Sequence, residues 1–205
     1  AHQIGTPLTS MMGWLTLLKE KDPKSSSLNE IEKDIERLNL ITERFSKVGS
    51  IPELQANNIL ETIKSTVDYL QKRSSDQVAF KLELPKEKII IPFNPQLISW
   101  TLENLIKNGI DAMKGKGEIN IYLEEKEKFI SILISDNGEG IKNHELKKIF
   151  NPGFTSKKRG WGMGLSLAKR IVEDYHGGKI YVKKTIKTKG TTFALDLIKS
   201  IIFSS

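Results

Sequence analysis

Four stretches of this 205-residue chain carry residue types that could do chemistry. In ISDNGEGI (134–141) an apolar run ends on Asp136, and Gly138 and Gly140 flank Glu139. A carboxylate at the end of a buried strand can accept a hydrogen bond from an exocyclic amine such as the N6 of adenine. Glycines let the backbone turn and approach a flat ligand. The same residues also read as an ordinary Asp-Asn-Gly turn. In RGWGMGLSLAKRIV (159–172), Gly160, Gly162 and Gly164 precede a helix expected to begin near Met163. Free N–H groups at a helix start, with the dipole behind them, bind phosphate. No strand leads into these glycines, and no G-x-x-x-x-G-K-[ST] occurs anywhere in the chain. In ENLIKNGIDAM (103–113), Asn104 and Asn108 lie four apart and share one helix face. Their amide oxygens could hold a hard, hydrated cation that bridges to phosphate; a solvated face explains them equally well. The fourth stretch, AHQIGTPL, puts His2 about a turn before Pro7, whose ring frees the carbonyl of Gln3.

These groups need elements to hold them. Ile4, Leu8, Met11, Leu15 and Leu18 step 4, 3, 4, 3 along residues 3–19, a heptad-like seam. KEKDPKSSS (19–27) interrupts it, and Leu28, Ile31, Ile35, Leu38, Thr42 and Phe45 form a second seam. The spacing predicts an antiparallel helical hairpin. Met12, Trp14, Leu17, Leu40, Ile41 and Val48 widen its apolar face beyond what one hairpin covers. Two copies are therefore expected to pair as a four-helix bundle, although packing on the downstream domain would also cover that face. GSIP (49–52) reads as a linker and a natural hinge, so the domain boundaries are expected at 1–50 and 51–205.

Beyond the linker, Asn57 or Asn58 is expected to cap a helix through about Lys72. Strands are expected at 78–84 and 88–93, then a helix over 94–113 with Asn94 as cap and Pro95 in its first turn. EINIYL (118–123) and FISILISD (129–136) read as a hairpin. Helices follow at about 143–149 and 163–176, and strands at 179–184 and 191–197. The class is α+β: a helical hairpin followed by an α/β sandwich.

Composition narrows the function classes. There is no cysteine, which excludes disulfides, thiolate zinc sites and cysteine nucleophiles. Residues 1–50 hold seven Lys/Arg and seven Asp/Glu, so the whole net charge of +7 falls on residues 51–205. That suits a polyanionic ligand such as a nucleotide; a solvated, lysine-rich surface accounts for it too. No aromatic-interleaved basic motif points to nucleic acid. No apolar run spans a bilayer, no signal-peptide pattern is present, and the first residue is Ala, so the chain is expected to be a piece of a longer protein with no direct membrane contact of its own.

The order of the boxes is more specific than any one of them. The chain resembles the sensor histidine kinases of two-component systems, in the GHKL ATPase superfamily. HQIGTPL resembles the H-box, ENLIKNGIDAM the N-box and DNGEGI the G1 box. IFNPGFTSKK resembles the F-box, GWGMGL the G2 box, and GTTF (190–193) the last adenine-side motif.

The resemblance implies a role for each residue. His2 would be the phosphorylated residue and would pass its phosphoryl group to an aspartate on a response regulator receiver domain. Asn108 would bind magnesium, with Asn104 near the phosphates of ATP. Asp136 would recognise adenine, Gly138, Gly140 and Ile141 would shape the base pocket, and Thr192 would lie near the base. Lys157 would contact phosphate from a lid closed by Gly160, Gly162, Gly164 and Leu165. Phe150 and Phe154 would pack that lid. Thr6, four residues after His2, would orient a water for phosphatase action on the regulator. The implied cofactors are ATP and Mg2+, and the implied assembly is a homodimer through residues 1–50, working in the cytoplasm.

Some positions depart from that pattern. Gln3 stands where many relatives carry a carboxylate, and an amide only hydrogen-bonds; Glu103 is the leading substitute for proton transfer. Gly5 replaces a common basic residue, Gly109 an alanine and Trp161 a small polar residue. Gln3 also leaves open an alternative, a nucleotide-gated phosphatase or scaffold without efficient autokinase activity. His144 falls in a polar segment, and His176 precedes Gly177 and Gly178 at a helix end, where histidine suits the dipole; neither is expected to be a nucleophile.

Overall fold

The computed structural model describes residues 2–32, 35, 52–157 and 162–200, with side chains from residue 10 onward. The chain divides into two compact units, 1–52 and 53–205.

In the first unit, helix α1 runs from His2 to Lys21, straight through Pro7. Residues 22–25 turn the chain, and α2 follows over 26–32, with residue 35 again helical. The loop is shorter than the serine cluster suggests, because Ser25 starts the helix. Its hydroxyl accepts from the Leu28 N–H at 3.5 Å, and its carbonyl accepts from the Asn29 N–H at 3.2 Å. Leu15 and Ile35 are buried against each other, with Met12 and Leu28 packed beside them. Lys19 pairs with Glu32 at 2.6 Å across the hairpin. Trp14 stays 67% exposed, and Met11, Leu17, Leu18 and Ile31 are also exposed. Of the seam residues whose side chains are described, Leu15 is covered and Met11 and Leu18 are not. The second seam beyond Ile35 and the GSI of the linker lie outside the described residues.

The second unit begins with β1 (Gln55–Asn58), which leads directly into α3 (Ile59–Gln71). Asn58 caps α3 by accepting from the Leu60 N–H. Ile59, Ile63, Val67 and Leu70 form the buried stripe of that helix. Next come β2 (Val78–Glu83) and β3 (Ile90–Phe93); β3 pairs antiparallel with β1. Sequence reasoning missed β1 because QANN is polar and has little strand propensity of its own; only pairing with β3 defines it.

Helix α4 (Pro95–Ala112) starts as expected, with the Asn94 side chain accepting from the Leu97 N–H and Pro95 in the first turn. The main sheet continues with β4 (Gly117–Glu125) and β5 (Phe129–Asp136). After α5 (Gly164–Arg170), it ends with β6 (Lys179–Ile186) and β7 (Gly190–Ile198). Its order is β2-β4-β5-β7-β6, so β2 and β6 are the edges. The β2–β4 pair is parallel and the rest are antiparallel. Helix α4 packs over β4, β5 and β7, and α3 packs against α4. Ile119, Ile121, Ile130, Ile132, Ile134, Leu195 and Leu197 are almost fully buried. Each such side chain contributes about 1.5–3 kcal/mol by leaving water, and the result is a two-layer α/β sandwich.

Two expected helices differ. Residues 143–150 form successive turns instead. The bonds Glu145 to Lys142, Lys148 to Glu145 and Asn151 to Lys148 step three residues at a time, and only Ile149 reaches back four, to Glu145. Ile149 is the one fully buried residue of this segment. The second helix, 163–176, is α5 followed by a π turn over Ile171–Tyr175. The backbone widens there to bonds that reach back five residues, and the His176 ring also meets the Ile171 carbonyl.

Candidate functional site

Strand alternation sets the site at one end of β5. Ile119 and Asp136 pair across β4 and β5, and both side chains lie under α4 at Gly109. Asp136 is 8% exposed. Its Oδ1 accepts from the Gly138 N–H at 2.8 Å and from the Thr191 N–H at 3.3 Å. Burial pushes its pKa above the ordinary aspartate range, and the backbone donors at Gly138 and Thr191 partly oppose that. A fixed, desolvated carboxylate of this kind marks a functional candidate.

The loop after Asp136 is tied on both sides. The Glu139 N–H donates to Ala112 O at the end of α4, at 3.2 Å. The Thr188 N–H donates to Glu139 O at 2.9 Å, and the Ile141 N–H donates to Thr185 Oγ1 at 2.9 Å. Gly140 lies against the Ile186 carbonyl. Thr185 and Thr191 meet through their hydroxyls at 3.1 Å. The base-pocket candidates Gly138, Gly140 and Ile141 are therefore brought together between α4 and the β6–β7 turn.

Thr192 is not in that group. The register pairs Ser135 with Thr192, and their hydroxyls meet at 3.0 Å. Successive strand residues point to opposite faces, so this pair faces away from Asp136. Thr191 takes the place expected of Thr192. It is 3% exposed and lies on the Asp136 side of β7.

Asn104 and Asn108 share one face of α4 as expected. Asn104 Nδ2 donates to Trp100 O at 3.1 Å, and its Oδ1 lies beside Gly164 at the start of α5. Asn108 Oδ1 accepts from Lys157 Nζ at 2.8 Å. The same ammonium pairs with Asp111 Oδ2 at 2.5 Å. Asp111 was not singled out in the sequence, although it lies three residues beyond Asn108 on the same face. Glu103 pairs with Lys107 at 3.0 Å, one turn along the helix. Gly162 accepts from the Gly153 N–H at 3.0 Å, closing the base of the segment between them. Leu165 is the second residue of α5. Phe150 packs edge-on against Phe193, with centroids 6.5 Å apart, which is core filling. Gly160, Trp161 and the side chains of His2, Gln3, Gly5 and Thr6 lie outside the described residues.

His176 is buried, contrary to the dipole reading. The Asn94 N–H donates to its Nε2 at 3.1 Å, and its Nδ1 lies 2.7 Å from Ile171 O. A carbonyl can only accept, so the ring is the neutral Nδ1–H tautomer. It joins the cap of α4 to the end of the helix that follows Gly164. Burial lowers its pKa, against a smaller raising effect from the Ile171 bond. An unfolded chain therefore takes up the proton first as the pH falls. Stability contributed by the neutral ring is present above about pH 6.5 and is lost as the pH falls from there through the lowered folded value. Thermal melting followed from pH 7.5 to 5.5 is expected to show this loss, at up to about 1.4 kcal/mol per pH unit. His176→Gln is expected to flatten that part of the profile.

Comparison with known proteins gives concordant matches. Residues 94–200 match the family described as "Histidine kinase-, DNA gyrase B-, and HSP90-like ATPase", and residues 1–54 match the "His Kinase A (phospho-acceptor) domain". The chain is 30% identical over 204 residues to sporulation kinase D of Bacillus subtilis, covering 96% of this chain and 40% of that protein. It is 30% identical over 203 residues to the sensor histidine kinase ZraS of Salmonella typhi, covering 95% of this chain and 43% of that one. The chain thus spans about two fifths of the length of these curated relatives. Among solved structures, the catalytic domain of histidine kinase ThkA is similar, with TM-score 0.66 and 29% identity over 72% of this chain and 97% of that one. Histidine kinase ThkA in complex with response regulator protein TrrA is similar over 97% of this chain and 59% of that one, with TM-score 0.69 and 26% identity.

Proposed function

The chain belongs to the family of histidine kinase-, DNA gyrase B- and HSP90-like ATPases, as a two-component sensor histidine kinase, and from that premise we propose that it phosphorylates His2 from ATP and passes the phosphoryl group to an aspartate of a response regulator. One observation carries the nucleotide part: a buried carboxylate at the end of β5, held by two backbone donors, beside an asparagine that already receives a cation. In this reading residues 1–50 are the phosphoacceptor and dimerisation hairpin, and residues 51–205 bind ATP. The exposed apolar face around Trp14 supports pairing with a second copy. The ThkA–TrrA complex supports a response regulator as partner. Among the described residues no helix is long and apolar enough to cross a membrane, and we assign the work of this segment to the cytoplasmic side, where ATP is found.

The residues fit the ligands they would hold. Gly138 and Thr191 donate to Oδ1 of Asp136, which leaves Oδ2 to accept from the adenine amine. Asn108 presents a hard amide oxygen that already accepts from a cation, the kind of donor magnesium takes, and Asp111 pairs with that same cation. When bound, magnesium neutralises charge on the phosphates. Asn108 would hold the metal, and Lys157 would reach the terminal phosphate and stabilise charge that develops on it. A neutral nitrogen of His2 attacks the terminal phosphorus. The bond to the bridging oxygen breaks, and ADP leaves with that electron pair. Glu103 is the candidate to take the imidazole proton, and Gln3 can orient the ring only through hydrogen bonds. Asn104 with Gly160, Gly162, Gly164 and Leu165 borders the phosphates. Thr6 gives the same hairpin a means to direct a water at the phosphorylated regulator. Thr191 replaces Thr192 in the base pocket.

Incubation with radiolabelled ATP and magnesium is expected to give an acid-labile, alkali-stable label that His2→Ala abolishes. Label that persists in His2→Ala would overturn the assignment. Nucleotide binding without any label would favour the alternative, a nucleotide-gated phosphatase or scaffold.

A further inference from the structure

Lys157 ends the TSK stretch and reaches α4 with a single ammonium, 2.8 Å from Asn108 Oδ1 and 2.5 Å from Asp111 Oδ2. Asn108 is neutral, so the charge of that ammonium is balanced by Asp111. The ammonium thus sits on the very oxygen that, in the reading above, binds magnesium. Magnesium would need that same oxygen as a donor. Two cations on one amide oxygen repel, so loading the site must expel the ammonium.

We propose that Asp111 is a positioning residue that parks the Lys157 ammonium on Asn108 when the site holds no nucleotide, and that Mg2+-nucleotide enters by cation exchange: magnesium takes Asn108 and Lys157 is released toward the phosphates. The inference rests on the nucleotide-binding reading and deepens it. An interaction present in the empty state and broken in the loaded one opposes loading. Both partners are about half exposed, so the opposition is small. It falls in the range of a two- to five-fold change in affinity, and substituting either residue leaves the core untouched.

Isothermal titration with ADP and saturating magnesium tests this without relying on turnover. The proteins are the unaltered chain, Asp111→Asn, Lys157→Met and the double variant. Asp111→Asn is expected to bind about two- to five-fold more tightly than the unaltered chain. The same substitution made in the Lys157→Met background is expected to change nothing, because no parked cation remains to be displaced. Asp111→Glu, which keeps the charge, is expected to behave as the unaltered chain does. Equal tightening in both backgrounds overturns the proposal, since Asp111 would then act on the phosphates directly. No change, or weaker binding, in Asp111→Asn overturns it as well. If the unaltered chain does not bind ADP, the nucleotide reading fails and this inference fails with it; binding without coupling removes the inference alone.

Discussion

Asp136→Asn is expected to weaken nucleotide binding about 100-fold while leaving the fold at least as stable as before. Asparagine keeps an oxygen for the Gly138 and Thr191 N–H groups, so the backbone cradle survives. Its other atom becomes an NH2, which meets the adenine amine donor to donor. Losing a charge-assisted hydrogen bond costs about 1.5–3 kcal/mol, and an opposed donor adds to that. A total near 3 kcal/mol corresponds to about two orders of magnitude in affinity. Stability moves the other way. Burial raises the folded pKa of Asp136, so stability from this group is fully present below the unfolded pKa and is lost as the pH rises through the folded one. At neutral pH the protein therefore carries a charged carboxylate that burial disfavours, and the neutral amide relieves that cost. Titration calorimetry with Mg2+-ADP reads the first effect and thermal melting at pH 7.5 the second. Unchanged affinity would remove Asp136 from base recognition.

Gly190→Ala is expected to be the most damaging single-methyl change in the ATP-binding unit. Gly190 has φ +100°, and a Cβ there would stand 1.8 Å from the Asp136 carbonyl oxygen and 2.8 Å from Asn137 Cα. Backbone cannot yield as a flexible side chain can. Overpacking of this kind costs about 1–3 kcal/mol, and a strained backbone region adds about 1–3 more. At about 2–4 °C per kcal/mol for a domain of this size, melting is expected to fall by roughly 10 °C. The start of β7 must shift as well, which takes the Thr191 N–H off Asp136 and weakens nucleotide binding. Gly115→Ala is the control: φ is +76° there, but nothing lies within 4 Å of the added methyl. It is expected to cost only the conformational strain, about 1 kcal/mol. Equal losses for the two variants would contradict the steric account.

Local chemistry made much of this legible in the sequence. Asn58 and Asn94 announce their helices by capping them, and the apolar run of β5 points to Asp136 at a buried strand end. The N-box pair needed only the 3.6-residue period. Residues positioned by distant partners were harder to see. Choosing between Thr191 and Thr192 requires the β5–β7 register, because a slip of one residue exchanges the faces. The neutral state of His176 depends on Asn94, far away in the chain. Asp111 gains meaning only through Lys157, which reaches it from another segment. At 143–150, Leu146, Ile149 and Phe150 keep helical spacing, so only the three-residue hydrogen-bond steps tell these turns from a helix.

The open margins of the sheet have a consequence for crowded solutions. Among the described residues β2 and β6 each have a strand on one side only, and an open margin of that kind invites polymerisation with a neighbouring molecule. Lys81 stands on one margin, and Lys179, Lys183 and Lys184 stand on the other. Zipping two such margins together would strip water from several ammonium groups at once. Fibre-like stacking is thus discouraged along both margins.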